Sequence, residues 1–157
     1  MKRLLALALV TLAITSTAAF AADHSLGTWK LNVAKSKYSP GPLPVKSLTQ
    51  VREAAGDGVK VSTTGERSDG TAVNSTYTAK FDGSPASLSG QGAPYDTVSL
   101  KQVNANTFTF ETKNSATKYS THGRLVVSHD GKTLTMTAKG TDAEGKPMTV
   151  TLVYDKQ

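Results

Sequence analysis

The stretch Ser25-Leu26-Gly27-Thr28-Trp29-Lys30-Leu31-Asn32, SLGTWKLN, holds the single tryptophan of a 157-residue chain, two residues after a glycine. It opens the first of a long series of short β-type runs, and it lies just beyond a segment built like a secretory signal. Lys2 and Arg3 give that segment a basic start, Leu4 to Ile14 an apolar run and Ala19-Phe20-Ala21 a small-residue cleavage site, the three parts of a signal peptide. The apolar stretch carries Thr11 and is followed by Thr15, Ser16 and Thr17. It falls short of the roughly 20 residues that span a bilayer. Residues 1–21 therefore read as a signal peptide cleaved near Ala21 and not as a retained anchor. Residues 22–157 read as one domain, periplasmic or secreted in a bacterial host.

That compartment permits disulfides, yet the chain has no cysteine, so stability rests on an ordinary core and backbone pairing. Thiol chemistry, iron–sulfur clusters and cysteine zinc sites are excluded, and lipid attachment through a mature N-terminal cysteine is too. Lys2 and Arg3 account for two of the +6 formal charges, which leaves +4 over residues 22–157. Lys35, Lys37 and Lys46 are the nearest approach to a basic cluster, without interleaved aromatics. Nucleic acid is therefore not an expected partner.

From Ser47 onward, runs rich in Val, Thr, Phe and Tyr alternate with Asp57-Gly58, Asp69-Gly70, Asp82-Gly83 and Asp130-Gly131. Asp-Gly between alternating strands predicts tight antiparallel hairpins, of type I′ where both central residues take positive φ. Nine strands are expected, at 27–33, 47–54, 59–68, 71–81, 97–103, 107–113, 118–128, 133–139 and 148–154. Strands joined in sequence favour an all-β, antiparallel up-and-down barrel of 8–10 strands, because closure removes the exposed edges of an open sheet. Gly90-Gln91-Gly92 reads as a flexible connection. Period-two alternation points Val73, Tyr77, Ala79, Phe81, Val98, Leu100, Phe108, Phe110 and Tyr119 inward. Leu125, Val127, Leu134, Met136, Met148, Val150, Leu152 and Tyr154 join them.

A search for chemistry finds no catalytic set. His24, His122 and His129 have no metal-ligand spacing, and neither H-E-x-x-H nor G-x-S-x-G occurs. His24 falls in an N-terminal lead expected to fray, and His129 falls at a turn. His122 and Arg124 share one strand face and form a possible anion site, facing outward unless a bulge at Gly123 turns one of them inward. No enzyme activity, metal or cofactor is expected.

Gly27-Thr28-Trp29 at the start of the first strand, with a single antiparallel meander after it, resembles the calycin superfamily of lipocalins and fatty-acid-binding proteins. The stretch Gly27 to Tyr38, with Asp130-Gly131-Lys132-Thr133-Leu134 and the ending Val153-Tyr154-Asp155-Lys156, also resembles small secreted lipocalin-like proteins of soil bacteria. The resemblance implies a barrel whose cavity holds one small apolar ligand, with Gly27 and Trp29 as a barrel-end structural motif. It also implies a basic residue from the last strand against the tryptophan. The matching position here is Leu152, so that partner is expected to be missing. The family's helical lid is replaced by Lys35 to Lys46, where Pro40, Pro42 and Pro44 forbid regular helix. This stiff segment is expected to return across the barrel floor.

Together these readings predict a monomeric binding protein for a small apolar or amphipathic molecule. Its ligand-binding residues would be Tyr77, Phe81, Phe108, Phe110, Tyr119, Met136 and Tyr154. Ser75, Ala79, Thr112, Thr121 and Ala138 leave space between them. The alternatives are a filled barrel that recognises a protein or envelope polymer on its outer surface, and a hydrolase or isomerase with a site inside.

Overall fold

The computed structural model describes residues 22–157. The signal-peptide assignment, on residues 1–21, lies outside the described residues. The nine expected strands are β1 (Gly27–Leu31), β3 (Val45–Ala55), β4 (Gly58–Arg67), β5 (Ala72–Lys80), β8 (Thr97–Asn104), β9 (Thr107–Lys113), β10 (Ser120–Val127), β11 (Thr133–Thr141) and β12 (Pro147–Lys156). Three further strands were not anticipated: β2 (Lys37–Ser39), β6 (Asp82–Ser87) and β7 (Ser89–Gln91).

All pairings are antiparallel, in the order β6-β8-β9-β10-β11-β12-β1-β3-β4-β5-β7. The two ends of that path, β6 and β7, are consecutive in the chain and separated only by Leu88. β6 pairs with β8 and β7 with β5, so this one segment closes the sheet into a barrel and leaves no long free edge. β12 pairs with β1 near its C-terminal end, Leu31 opposite Tyr154, and with β2 near its start, Val150 opposite Tyr38. A single 3-10 turn, Val33–Lys35, capped by Asn32, joins the two partners.

The anticipated inward residues do face inward. Trp29, Val59, Val61, Phe108 and Leu134 are fully enclosed, and the core continues through Leu100, Leu125, Val127, Leu152 and Tyr154. Alternation fixed these faces because each strand buries only one side. The turns are of a different kind from the type I′ hairpins expected. Among the described residues only glycines have positive φ, so no Asp-Gly turn has the positive φ at both central residues that type I′ requires. The β3–β4 loop is Gly56-Asp57, with Gly56 at φ 59° and Ala55 opposite Gly58. That is the type II′ arrangement, with glycine first.

Gly90-Gln91-Gly92 is a paired strand and its exit, not a flexible connection. A Cβ at Gly90 would run into the Asn74 carbonyl, and one at Gly92 into the Ala72 carbonyl. The glycines let β7 lie close on β5 where the barrel closes.

Candidate functional site

The two ends of the barrel differ. At one end Trp29 is fully buried and donates from Nε1 to the Ser25 carbonyl at 2.7 Å. Lys156 lies over its ring, Nζ 4.8 Å from the centroid, and donates to the Leu26 carbonyl at 2.8 Å. The closing strand therefore does supply a basic partner for the tryptophan. It comes from Lys156, four residues beyond Leu152 and past the 148–154 expected for this strand, because β12 continues to Lys156. Gly27, at φ +118°, leaves room for it, since a Cβ there would sit 3.0 Å from Lys156 Cε. The N-terminal lead is docked and not frayed: His24 N–H bonds the Ala105 carbonyl at 3.0 Å, and Gln102 Nε2 donates to the Ala22 carbonyl at 3.1 Å.

The proline segment belongs to the opposite end. Ser68 donates from its amide and from Oγ to the Pro44 and Leu43 carbonyls at 3.0 and 2.8 Å, which holds the segment beside the β4–β5 turn. It borders the open mouth instead of crossing the floor. The cause is β2, whose pairing with Thr149–Thr151 of β12 carries the chain away from Trp29.

Between mouth and floor lies a cavity of about 410 Å³. This is within the range of small-molecule sites, and its composition is the usual one of an apolar lining with few polar groups. Of the seven residues expected to bind ligand, Tyr77, Phe110, Tyr119, Met136 and Tyr154 line it. Phe81 and Phe108 do not. Their rings pack on each other with centroids 5.3 Å apart, and Phe108 is fully buried. Both side chains are spent on the core, where burial of large aromatics is most favourable. Ser75, Thr112, Thr121 and Ala138 supply the gaps in the wall, whereas Ala79 is core. Thr112 and Thr121 bond each other at 2.7 Å.

Several lining residues escaped the sequence reading. Tyr95, on the β7–β8 loop, stacks against Tyr119 with ring centroids 6.3 Å apart. Tyr38 and Arg67 border the mouth with Asp142 and Glu144. Arg52 and Gln50 project inward from β3. Loss of hydration raises the Tyr95 phenol well above its ordinary value, with the neighbouring Tyr77, Tyr119 and Tyr154 adding to the effect and Arg52 opposing it. Tyr154 is raised by burial, against the pull of Arg52. Tyr119 is raised by burial, partly offset by hydrogen bonds to Thr121 and Thr112. All three phenols are thus held neutral, as hydrogen-bonding groups on aromatic walls.

His122 and Arg124 lie on the outside. With Lys101, Glu111 and Lys139 they border an external trough of about 740 Å³ across β8–β12. Gly123 makes no bulge: His122, Gly123 and Arg124 keep unbroken register with Lys139, Ala138 and Thr137. No group of three or more His, Asp or Glu among the described residues is placed to hold a metal ion.

Fold and cavity together define the class, an antiparallel β-barrel with an internal chamber open at one end. No family model matches the chain and no curated protein matches its sequence. Among solved structures, EF1p2_mFAP2b bound to DFHBI is similar in fold, with a TM-score of 0.50 and 10% identity over 85% of this chain and 94% of that one. The redesigned β-barrel mFAP1, also bound to DFHBI, aligns at a TM-score of 0.42 with 14% identity over 82% of this chain and 94% of its own.

Proposed function

We propose that this protein is a secreted or periplasmic binding protein that carries one small apolar or amphipathic molecule inside its barrel, without covalent chemistry. The observation that carries the reading is the 410 Å³ chamber, lined by aromatic and aliphatic side chains with hydroxyls, Gln50 and Arg52 among them, and open at a mouth that carries Arg67, Asp142 and Glu144. A filled core would have closed it, since protein interiors leave few voids larger than a water. That EF1p2_mFAP2b holds the small molecule DFHBI supports barrels of this shape as ligand holders. Periplasmic or secreted location rests on the signal-like residues 1–21, and the monomeric state on the scatter of outward valines such as Val126.

Titration with an apolar, environment-sensitive dye tests the proposal. Enhanced emission with one site per chain is expected, and it should be abolished in Ala138→Phe, which fills the chamber from its wall. Equal dye binding by wild type and variant would place the dye outside and contradict the reading. The external trough, with Lys101, Arg124 and Lys139 against Glu111, favours a second reading in which an anionic envelope polymer docks on the outer face. Retention of the purified protein on anionic cell-wall polymer, lost in Arg124→Ala, would support it.

A further inference from the structure

The chamber contains a charged group without an ion-pair partner; Asp23, whose Oδ1 accepts from the Ser25 amide at 2.8 Å and whose Oδ2 is buried without a hydrogen bond, makes no ion pair with it. Arg52 is 3% exposed and lines the cavity. Its Nε donates to Ser25 Oγ at 3.1 Å, and Nη2, also buried, has no hydrogen-bond partner. No carboxylate among the described residues forms an ion pair with it: the five pairs present involve Lys35, Lys46, Arg67, Lys80 and Lys113. Gln50, two residues earlier on the same face of β3, also lines the cavity, and its Oε1 is buried without a partner. A buried cation without a counter-charge is costly, and each unpartnered buried polar atom adds to that cost. An arginine held in this way is stabilised by any ligand that brings an anionic oxygen to it.

We propose that Arg52 is the anion-recognition residue of the chamber and that the ligand is a compact organic acid, its carboxylate at Arg52 on the closed side and its body among the tyrosines. This rests on the reading of the chamber as a ligand site and narrows it. Gln50 adds a second polar contact, accepting from a ligand hydroxyl through Oε1 or, with its amide turned, donating to the acid through Nε2. The tyrosine walls, Tyr77, Tyr95, Tyr119 and Tyr154, favour a flat aromatic body. A one- or two-ring acid fits within the 410 Å³ of the chamber.

The test is isothermal titration of the purified protein with matched pairs: cinnamate and cinnamyl alcohol, 2-naphthoate and 2-naphthalenemethanol. Each acid should bind at least tenfold more tightly than its alcohol. In Arg52→Met the acids should lose at least tenfold in affinity while the alcohols change less than threefold. Arg52→Lys, which keeps the charge with a shorter reach and one donor centre, should fall between. If acids and alcohols bind equally to wild type, or Arg52→Met leaves the acid preference intact, the role of Arg52 is overturned while the chamber remains a ligand site. If no member of either pair binds wild type, both that role and the reading of the chamber fail. Should Arg52→Met not fold, the wild-type acid-to-alcohol ratio and Arg52→Lys still decide the matter.

Discussion

Lys156 does three things at the closed end: it covers the Trp29 ring, bonds the Leu26 carbonyl and fills the space that Gly27 leaves. Lys156→Met keeps the stem but loses the charge and the hydrogen bond, and should lower the unfolding free energy by about 1 kcal/mol. Trp29→Ala removes a fully enclosed side chain and should cost about 3–5 kcal/mol; urea denaturation monitored by circular dichroism measures both. The raised phenols of Tyr95 and Tyr154 carry a pH consequence. A phenol whose folded value exceeds the ordinary 10.0 contributes stability that is complete below that value and is lost as pH rises beyond it. Alkaline titration followed by tyrosinate absorbance should therefore leave these two protonated above pH 10 until the barrel unfolds. Five tyrosines titrating together near pH 10 in folded protein would refute the buried chamber wall. At this scale the tryptophan motif was legible because the residue is singular. Arg52 was not, because β3 interleaves inward Leu48, Gln50 and Arg52 with outward Val51, so its apolar residues do not mark a face.

Among the elements, β10 and β11 lie close at Gly123. A Cβ at Gly123 would collide with the Thr137 carbonyl, whereas one at Gly131, in the hairpin that joins the two strands, meets nothing within 4 Å and is opposed only by φ +70°. Gly123→Ala should thus cost about 3 kcal/mol, the scale of an overpacked contact. Gly131→Ala should cost about 1 kcal/mol, the scale of a strained turn residue. Equal losses in thermal melts would contradict the close packing of the strands. The turn and loop aspartates act at the opposite extreme of pH from the phenols. Asp82, Asp96 and Asp130 are held below the ordinary 3.8 chiefly by hydroxyl groups of Ser84, Ser115 and Ser128, and Asp69 chiefly by the Thr71 amide. Depressed carboxyls contribute stability that is complete above their unfolded value and disappears as pH falls through the folded one. The urea midpoint should be flat near neutrality and fall below about pH 4, with a shallower fall when these four residues are changed to asparagine. Nine of the twelve strands among the described residues were legible as alternating runs. β6 and β7 were not, since Ser84-Pro85-Ala86-Ser87 and Ser89-Gly90-Gln91 lack the branched and aromatic residues that mark strands. Their pairing comes from their neighbours in the barrel.

For the whole molecule, the sequence carried the barrel and most of the chamber wall, since closure and alternation together place one side of every strand inside. It did not carry the difference between the barrel's two ends. That depends on where β2 joins β12 and on how the β7–β8 loop brings Tyr95 over the mouth, both set by long-range pairing. The proposed function rests on a chamber of about 410 Å³ with aromatic walls, a polar mouth and an Arg52 that forms no ion pair. Native mass spectrometry of the protein purified from its own host tests this most directly. The account predicts a bound species, one per chain, that dissociates on activation as a low-mass acid. Protein that is consistently empty, from cultures in which it is abundant, would contradict it.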